Sequence, residues 1–360
     1  MQHAAPHDAA LRARVRSLAA AEIAPFAAIV DATRYFPLEG YDALRAAGLH
    51  APYLPAGYGG AGFGESAVCA VVEELARVCG SSALIPAVNL LGAAPLLLAG
   101  DVRLKHRYLT PVAAGEALIT TAMFEDAGDA EEVACRAVRR ADGGWTLFGA
   151  KPRAVNAGVA HFYTVLAVTD PQAGPEHGLS VFVLEDGDRG FGQGDRLPQH
   201  GVTGIPTRRL SFNGVELGED RLVGAVGDGL RIARRTREYG QVALGAHAVG
   251  VAQGALDCAA GQLGSAERCE IEELLAQARR TVAEAAAALE TADPASAAMA
   301  ARARLRACAA AARVTREVLA AVADHAAPAR ALADRFQRDA RAVAWPAVAE
   351  LERQGTDLAA

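Results

Sequence analysis

Four residues are the first candidates to move a proton or hold an anion, and most of them lie far apart along the sequence. Glu125 and Asp126 follow a β-like apolar run, and a carboxylate at a strand end can act as an acid or a base. His247 lies in a long alanine-rich segment, and an unperturbed imidazole titrates close to neutral pH. Arg153 follows another β-like run and carries a charge that suits an anionic group. These residues are the first candidates for a site.

Each candidate also has an ordinary structural interpretation. Glu125 and Asp126 fit a solvated turn equally well, and Arg153 can pair with either of them instead of with a substrate. His247 can be a hydrogen-bonded histidine inside a helical core. His325 lies near a predicted helix end, where it can favour the helix dipole or contact a ligand phosphate. The sequence leaves these alternatives open.

The composition excludes several classes of protein. The chain has 360 residues, 52% hydrophobic and 22% charged, with net charge −6. It can therefore bury a large core, and it lacks the basic surface of a nucleic-acid binder. Its cysteines form no C-x-x-C pair, so no metal site is indicated. Residues 83–99 are short for a membrane span and contain Asn89, and residues 1–10 lack a signal-peptide core. We expect a cytoplasmic protein that does not bind membranes.

The hydrophobic period changes twice along the chain. Apolar residues recur at helical spacing to about Gly115, alternate as in β-strands to about Gly224, and then return to helical spacing. The predicted strands have no helices between them, which favours an antiparallel barrel or sandwich. The pattern predicts an N-terminal α-helical domain over 1–115, a middle β-domain over 116–224 and a C-terminal four-helix bundle over 225–360.

Local signals add details to the N-terminal domain. One continuous helix is predicted over 11–30, and Asp101 is expected to cap a helix that ends near Gly115. Ser81 or Ser82 is expected to cap the apolar helix over 82–100.

Short motifs along the chain carry a resemblance to a known family. They are Pro55 with Tyr58-Gly59-Gly60 and Gly62, Glu73-Glu74-Leu75-Ala76, Gly149-x-Lys151 with Asn156-Ala157-Gly158, Phe212-Asn213-x-Val215, Ala248-Val249-Gly250, and Arg338-Asp339-Ala340. In this order they resemble the acyl-CoA dehydrogenase family over nearly the whole chain. The resemblance implies that family's fold, an α+β multi-domain arrangement with a helical bundle, and FAD as the cofactor.

Positions that face the flavin ring in that family carry other residue types here. By the resemblance, Phe124 stands at the place of a hydroxyl residue. Arg153 and Val155 stand where a tryptophan and a threonine lie against the isoalloxazine. Arg153 could instead bind an anionic part of the substrate.

The positions that approach the FAD pyrophosphate differ as well. By the resemblance, the family's arginine falls on Ala266, and Arg268 could replace it. The glycine-rich segment of the family corresponds to residues 322–330, which include His325 and contain no glycine. The resemblance therefore implies FAD as the cofactor, but with weak or absent binding.

The catalytic base of the family is also missing. Its glutamate falls on Ala347 and, in a branch of the family, on Gly240. The helix face around Gly240 lines the acyl pocket in that family, so Tyr239 and Gly240 are expected to contact a substrate. His247 lies two helical turns further along the same face and is the candidate for a relocated acid or base.

The resemblance leaves several functions open. One is a diverged family enzyme that acts on an acyl thioester carried by CoA or an acyl carrier protein, or on a related biosynthetic intermediate; it is an oxidoreductase if flavin is retained. Another is a flavin-free acid–base enzyme that uses the acyl cleft for elimination, cyclisation or isomerisation. A third is a non-catalytic partner subunit of a heteromeric acyl-CoA dehydrogenase. A flavin monooxygenase is the remaining redox alternative. In each case an apolar cleft suits an acyl or polyketide-like chain.

We predict a homodimer or homotetramer assembled through the C-terminal bundle. The helix predicted over 295–323 is rich in alanine and would leave an apolar patch on a monomer. Light scattering at micromolar concentration checks this, and a monomeric mass would contradict it.

Overall fold

The computed structural model describes residues 6–123, 133–259, 261–325 and 327–353, with the backbone alone at 6–8 and 345–353. Phe124, Glu125 and Asp126 lie outside the described residues. The chain forms helices, then a β-sheet, then helices again. This order confirms the fold class predicted from the sequence.

The N-terminal helices surround one apolar helix, α5. Pro25 lies at the start of α2 and cannot donate a backbone hydrogen bond. The continuous helix predicted over 11–30 is therefore wrong in detail, because a π-helical turn over Ala19–Ile23 interrupts it. The helices are α1 Pro6–Leu18, α2 Ala24–Thr33, α3 Leu38–Ala46, α4 Glu65–Ala76, α5 Gly80–Ala99 and α6 Val102–Ala113.

Two predicted helix caps had different outcomes. Asp101 Oδ1 accepts a hydrogen bond from the Leu104 backbone N–H at 2.7 Å, which confirms the cap on α6. The cap predicted at Ser81 or Ser82 is wrong, because α5 begins at Gly80, two residues earlier than predicted. Its N-cap is Cys79, whose Sγ lies 3.5 Å from the Ser82 backbone nitrogen.

The middle domain is one curved sheet in the order β6-β7-β3-β2-β4-β5-β8, with β1 paired to β4. Most neighbouring strands are antiparallel, as predicted, but β1 and β2 each pair with β4 in parallel. One sheet face packs on the helices, and the other encloses a separate core around Trp145, Tyr163, Phe182 and Phe212. The strands are β1 Ile119–Ala122, β2 Arg136–Arg139, β3 Trp145–Val155, β4 Phe162–Val168, β5 Leu179–Glu185, β6 Phe191–Arg196, β7 Thr207–Leu217 and β8 Leu222–Val223, with the short helix α7 Gly174–Gly178 between β4 and β5.

The C-terminal helices pack around α8, which also contacts the N-terminal domain. A Cβ atom at Gly250 would lie 2.2 Å from the Glu73 carbonyl oxygen, and one at Gly254 would lie 2.2 Å from the Arg77 carbonyl oxygen. Only glycine permits this approach of α8 to α4. The bundle helices are α8 Gly229–Cys258, α9 Ser265–Glu290, α10 Ser296–Ala321 and α11 Ala327–Arg353.

Helix α5 is buried between these layers. Among the described helices it is long and apolar enough for a membrane span, but 78% of that stretch is buried within the protein, as in a core helix. Asn89 interrupts its apolar surface and makes two hydrogen bonds in the core. Its amide nitrogen donates to the His50 carbonyl at 3.1 Å, and its oxygen accepts from the Ile119 N–H at 3.1 Å.

The Arg338-Asp339 pair joins the bundle to both other domains. The Arg338 guanidinium forms two hydrogen bonds to the Asp31 carboxylate in α2, at 2.9 and 2.7 Å. Asp339 is buried and accepts the Val202 N–H from the loop before β7 at 2.6 Å. Burial alone would raise the pKa of Asp31, but the hydrogen bonds from Arg338 lower it below its usual value. The motif therefore acts as a clamp between the domains.

Asp31→Asn should lower the free energy of unfolding by about 1–3 kcal/mol, because it removes the carboxylate that joins α2 to the half-buried Arg338 guanidinium and leaves that guanidinium only Asp334 of its own helix. Urea denaturation at neutral pH measures this loss. The control is Glu317→Gln, which breaks an exposed pair with Arg313 and should cost less than about 0.5 kcal/mol. Equal effects of the two substitutions would contradict the clamp.

Candidate functional site

The helical and β-sheet domains meet where α5 crosses β1. A Cβ at Gly92 would lie 2.6 Å from the Thr120 backbone nitrogen, so the helix backbone touches the strand. The Thr164 hydroxyl of β4 donates to the Gly92 carbonyl at 3.2 Å. This contact fixes the edge of the sheet against α5.

Helix α8 crosses α5 beside this contact. A Cβ built on Gly240 would lie 2.6 Å from Leu91 Cδ2, so the Leu91 side chain occupies the space that a side chain at 240 would need. Leu91 and Tyr239 are both half-buried. The guanidinium of Arg235 lies 5.3 Å from the centre of the Tyr239 ring. Two predicted substrate contacts, Tyr239 and Gly240, thus lie where α8 meets α5. The structure adds Leu91 to this region.

Arg153 and Val155, the positions predicted to lie against the flavin ring, are on the β-sheet side of the site. Val155 is half-buried, and its carbonyl accepts the Thr120 hydroxyl at 2.6 Å. Arg153 is exposed, and the described residues give it no carboxylate partner. Its predicted partners, Glu125 and Asp126, lie outside the described residues.

Asn156 follows Val155 directly and is fully buried at a left-handed φ of 62°. Neither its amide nitrogen nor its amide oxygen has a hydrogen-bond partner in the described part of the chain. Buried amides normally have partners, so this group is available to a polar ligand.

The predicted pyrophosphate positions are not organised around an anion. Arg268 forms an ion pair with Glu272, four residues on in the same helix, at 2.8 Å. Ala266 is exposed in the first turn of α9, and His325 is exposed at the end of α10. The described positions thus offer no hydroxyl for the flavin ring. They also offer neither a free arginine nor a close glycine backbone for the pyrophosphate. Apart from the Asn156 amide, these residues do not fit the demands of FAD.

Neither position at which the family resemblance puts the catalytic glutamate, 347 or 240, carries a carboxylate. The α11 helix extends to Arg353, so position 347 lies within a helix and is an alanine. Gly240 faces Leu91 as described above. Among the described residues, no group of three histidine, cysteine or acidic side chains could hold a metal ion.

His247 is buried where α8 packs against the start of α5. It is 0% exposed, and its Nε2 lies 2.9 Å from the Gly80 carbonyl oxygen at the start of α5. Because the acceptor is a carbonyl, Nε2 is the donor, and Nδ1 has no partner among the described residues. Burial lowers the pKa of His247 to about 4. We therefore assign His247 to the core and not to the cleft.

Sequence reasoning missed two buried polar side chains in the N-terminal domain. Glu65, the first residue of α4, is 6% exposed, and Tyr53 is 8% exposed. Glu65 Oε1 and the Tyr53 hydroxyl have no partner in the described part of the chain. A glutamate at a helix start normally faces solvent, so no local signal could have found them.

A helical N-domain, a β-domain and a C-terminal helical region, in this order, define the acyl-CoA dehydrogenase fold. The sequence profile of the acyl-CoA dehydrogenase N-terminal domain matches residues 5–116, and that of the middle domain matches residues 125–215. The chain belongs to the acyl-CoA dehydrogenase family.

Individual relatives agree with this assignment. The chain is 42% identical to the probable acyl-CoA dehydrogenase fadE25 of Mycobacterium leprae over 250 residues, which is 69% of this chain and 64% of that relative. It is 31% identical to an acyl-CoA dehydrogenase of Bacillus subtilis over 258 residues, 71% of this chain and 68% of the relative. The structure of butyryl-CoA dehydrogenase from Megasphaera elsdenii superposes with a TM-score of 0.89 at 25% identity and covers 99% of this chain and 98% of its own. The alignment with the first of these relatives spans less than two thirds of its length.

His247→Gln should flatten the dependence of stability on acidic pH. The folded-state pKa of about 4 lies below the usual histidine value of 6.5, so unfolding takes up a proton between these values. The wild-type protein should lose up to about 3 kcal/mol from this group as the pH falls from 6.5 to 4. Urea denaturation across this range measures the difference.

The glutamine can still donate to the Gly80 carbonyl but cannot titrate. His325→Gln, at an exposed histidine, is the control and should leave the pH dependence unchanged. If the free energy of unfolding depended on pH in the same way for His247→Gln and the wild type, the buried imidazole would not titrate as described.

Proposed function

We propose that this chain binds acyl thioesters in the cleft between α5, α8 and β1, and that it does not carry out flavin-dependent dehydrogenation with the usual residues. The observation that carries the proposal is the contact between Gly240 and Leu91. Where a catalytic carboxylate would project, an apolar side chain lines the cleft instead. The thioester can be a CoA ester or an ester of an acyl carrier protein.

An acyl chain suits the lining of this cleft. Leu91, which meets α8 at Gly240, and the Tyr239 ring are both half-buried, so both offer apolar surface without being closed off. Ligand sites of this kind combine apolar walls with few polar groups. The membership of the family and the likeness to butyryl-CoA dehydrogenase support a thioester as the ligand.

Removal of an α-proton requires a base within hydrogen-bond reach of that proton. At the two positions where the family resemblance puts the base, the chain has Ala347 and Gly240. His247 points away toward Gly80 and is held neutral by burial. The remaining side chains can bind and orient a thioester but provide no such base at these positions.

Flavin binding should be weak for a related reason. Val155 offers no hydroxyl to the ring, Ala266 offers no charge to the pyrophosphate, and Arg268 is paired with Glu272. A hydrogen bond to a charged group contributes about 1.5–3 kcal/mol and a neutral one about 0.5–1.5 kcal/mol. The combined loss is on the order of 5 kcal/mol, or a few thousandfold in affinity.

We predict that the purified protein is colourless and binds added FAD more weakly than micromolar, as measured by flavin fluorescence quenching. Val155→Thr restores one hydroxyl at constant shape and should tighten FAD binding about 2- to 10-fold. Val138→Thr, at an exposed valine of β2, is the matched control. Submicromolar binding by the unmodified chain, or a stoichiometric yellow protein, would refute weak flavin binding.

Leu91→Trp should weaken octanoyl-CoA binding about tenfold or more, because the larger ring fills the cleft. Binding of free CoA should change little, since only the acyl part meets Leu91. Isothermal titration calorimetry measures both ligands. Val102→Trp makes the same kind of change at a residue that is 67% exposed. No binding of octanoyl-CoA by the wild type, or equal binding by Leu91→Trp, would overturn the proposed site.

A further inference from the structure

Four arginines lie at one corner of the sheet, where β3 and β6 end and β7 begins. The register of β3 against β7 shifts between Lys151 and Ala154, so two residues of β3 face one residue of β7. They are Pro152 and Arg153 in β3 and Arg209 in β7. Such a bulge places Arg153 and Arg209 beside each other on neighbouring strands. Like charges at opposite positions destabilise a sheet, so a compensating negative charge is expected here.

Arg153 and Arg209 share the sheet face that packs toward the helices. Ala154 and Leu210 belong to the separate core inside the sheet, whereas Val155 packs against the helical core. Consecutive side chains of a strand face opposite sides, so Arg153 and Arg209 lie on the face of Val155. Both arginines are exposed. The apolar surface at Val155 therefore becomes cationic two residues away along β3.

Val155 connects this face to the proposed acyl cleft. The Gly92 backbone of α5 abuts the Thr120 nitrogen of β1, where a Cβ atom would lie only 2.6 Å away. The Thr120 hydroxyl donates to the Val155 carbonyl at 2.6 Å. Leu91, the apolar residue of the cleft, directly precedes Gly92. The contacts therefore run from Leu91 through β1 and β3 toward the two arginines.

Neither of these arginines has a carboxylate partner among the described residues. Arg196 of β6 and Arg208 of β7 are directly opposite each other and have no such partner in that part of the chain either. Arg196 donates to the Arg34 carbonyl, and burial together with the charges of Arg208 and Arg34 lowers the pKa of Arg196. Asp195, which faces Arg209 from β6, is exposed and forms no ion pair within the described ranges. A chain with net charge −6 thus has a local excess of positive charge at this corner.

A pair of guanidinium groups of this kind suits a phosphate group. The planar fork of each arginine matches two phosphate oxygens, and a negative charge between the two side chains attracts both. Thioesters of CoA and of acyl carrier proteins share a phosphopantetheine arm, which ends in a phosphate. An acyl group beside Leu91 leaves this arm free to extend along the sheet toward the arginines.

We propose that Arg153 and Arg209 bind a phosphate group of the thioester ligand, and that Arg196 and Arg208 add to the positive charge around it. This inference rests on the proposed binding of acyl thioesters, and it names the part of the ligand that the sheet recognises. It makes Arg153 and Arg209 binding residues for the carrier part of the ligand and not catalytic residues.

The experiment compares octanoyl-pantetheine, octanoyl-phosphopantetheine and octanoyl-CoA by calorimetry with the full chain. One phosphorylated ligand or both should bind about tenfold more tightly than octanoyl-pantetheine, the effect of charge-assisted hydrogen bonds to phosphate. A gain with both ligands assigns the site to the phosphate of the arm, and a gain with octanoyl-CoA alone assigns it to the nucleotide phosphates. The gain should shrink as the NaCl concentration rises, because exposed charges are screened.

Arg153→Gln and Arg209→Gln should each remove most of this gain and leave the binding of octanoyl-pantetheine unchanged. Each substitution also relieves the repulsion between the two arginines, so neither should lower the free energy of unfolding. The control is Arg103→Gln, at an exposed arginine of α6 that likewise has no ion pair among the described residues. It should keep the gain.

The outcomes separate this inference from the function on which it rests. Equal binding of the three thioesters overturns the inference and leaves thioester binding standing. A phosphate-dependent gain that survives both Arg153→Gln and Arg209→Gln also overturns it. Failure of all three thioesters to bind overturns the proposed function, and the inference falls with it.

Discussion

The close packing of α8 against α4 and α5 is the constraint on which the rest of the structure depends. At Gly250 and Gly254 the backbone of α8 approaches α4 at distances that leave no room for a Cβ atom. At Gly240 the missing side chain admits Leu91 of α5. Because a packed interior transmits small displacements, these contacts fix the position of α8 against both helices.

Some polar groups buried around α8 have hydrogen-bond partners, and others have none among the described residues. We interpret the first as structural and the second as candidates for contact with a ligand. Asn89 and Asp339 have partners and join the domains. His247 is satisfied at one nitrogen and held neutral, as expected for an imidazole in a helical core. Glu65 Oε1 and the Tyr53 hydroxyl have no partner in the described part of the chain. Unsatisfied buried groups are rare in native proteins, so their position is informative about ligands.

We propose that the framework of the family and its chemistry are separable in this chain. The fold matches butyryl-CoA dehydrogenase over nearly all of both chains, because apolar patterning and close glycine contacts define it. The contacts to a cofactor depend instead on a few individual side chains, and residues such as Val155 and Ala266 can replace them without disturbing the packing. A cleft can therefore persist after the groups that hold a flavin have changed.

Much of this protein was determined by its sequence alone. The helical and alternating periods predicted the three regions, and Asp101 predicted its own cap, because these features depend on neighbours a few residues away. The motifs predicted the family, and the positions of Gly240 and Ala347 predicted that the usual base is missing. The π-helical turn over Ala19–Ile23 and the true cap at Cys79 were not predicted, since helix boundaries depend on competing local options.

Only the tertiary structure decided which polar residues lie in the core and which face the cleft. His247 and Glu65 both have sequence contexts that allow solvent exposure, and the packing of α8 on α4 and α5 buries them both. The hydrogen-bond partner of His247, the Gly80 carbonyl, comes from a distant part of the chain. Burial and hydrogen bonds between residues far apart in the sequence result from packing between helices. The residue spacing within a single helix therefore does not predict them.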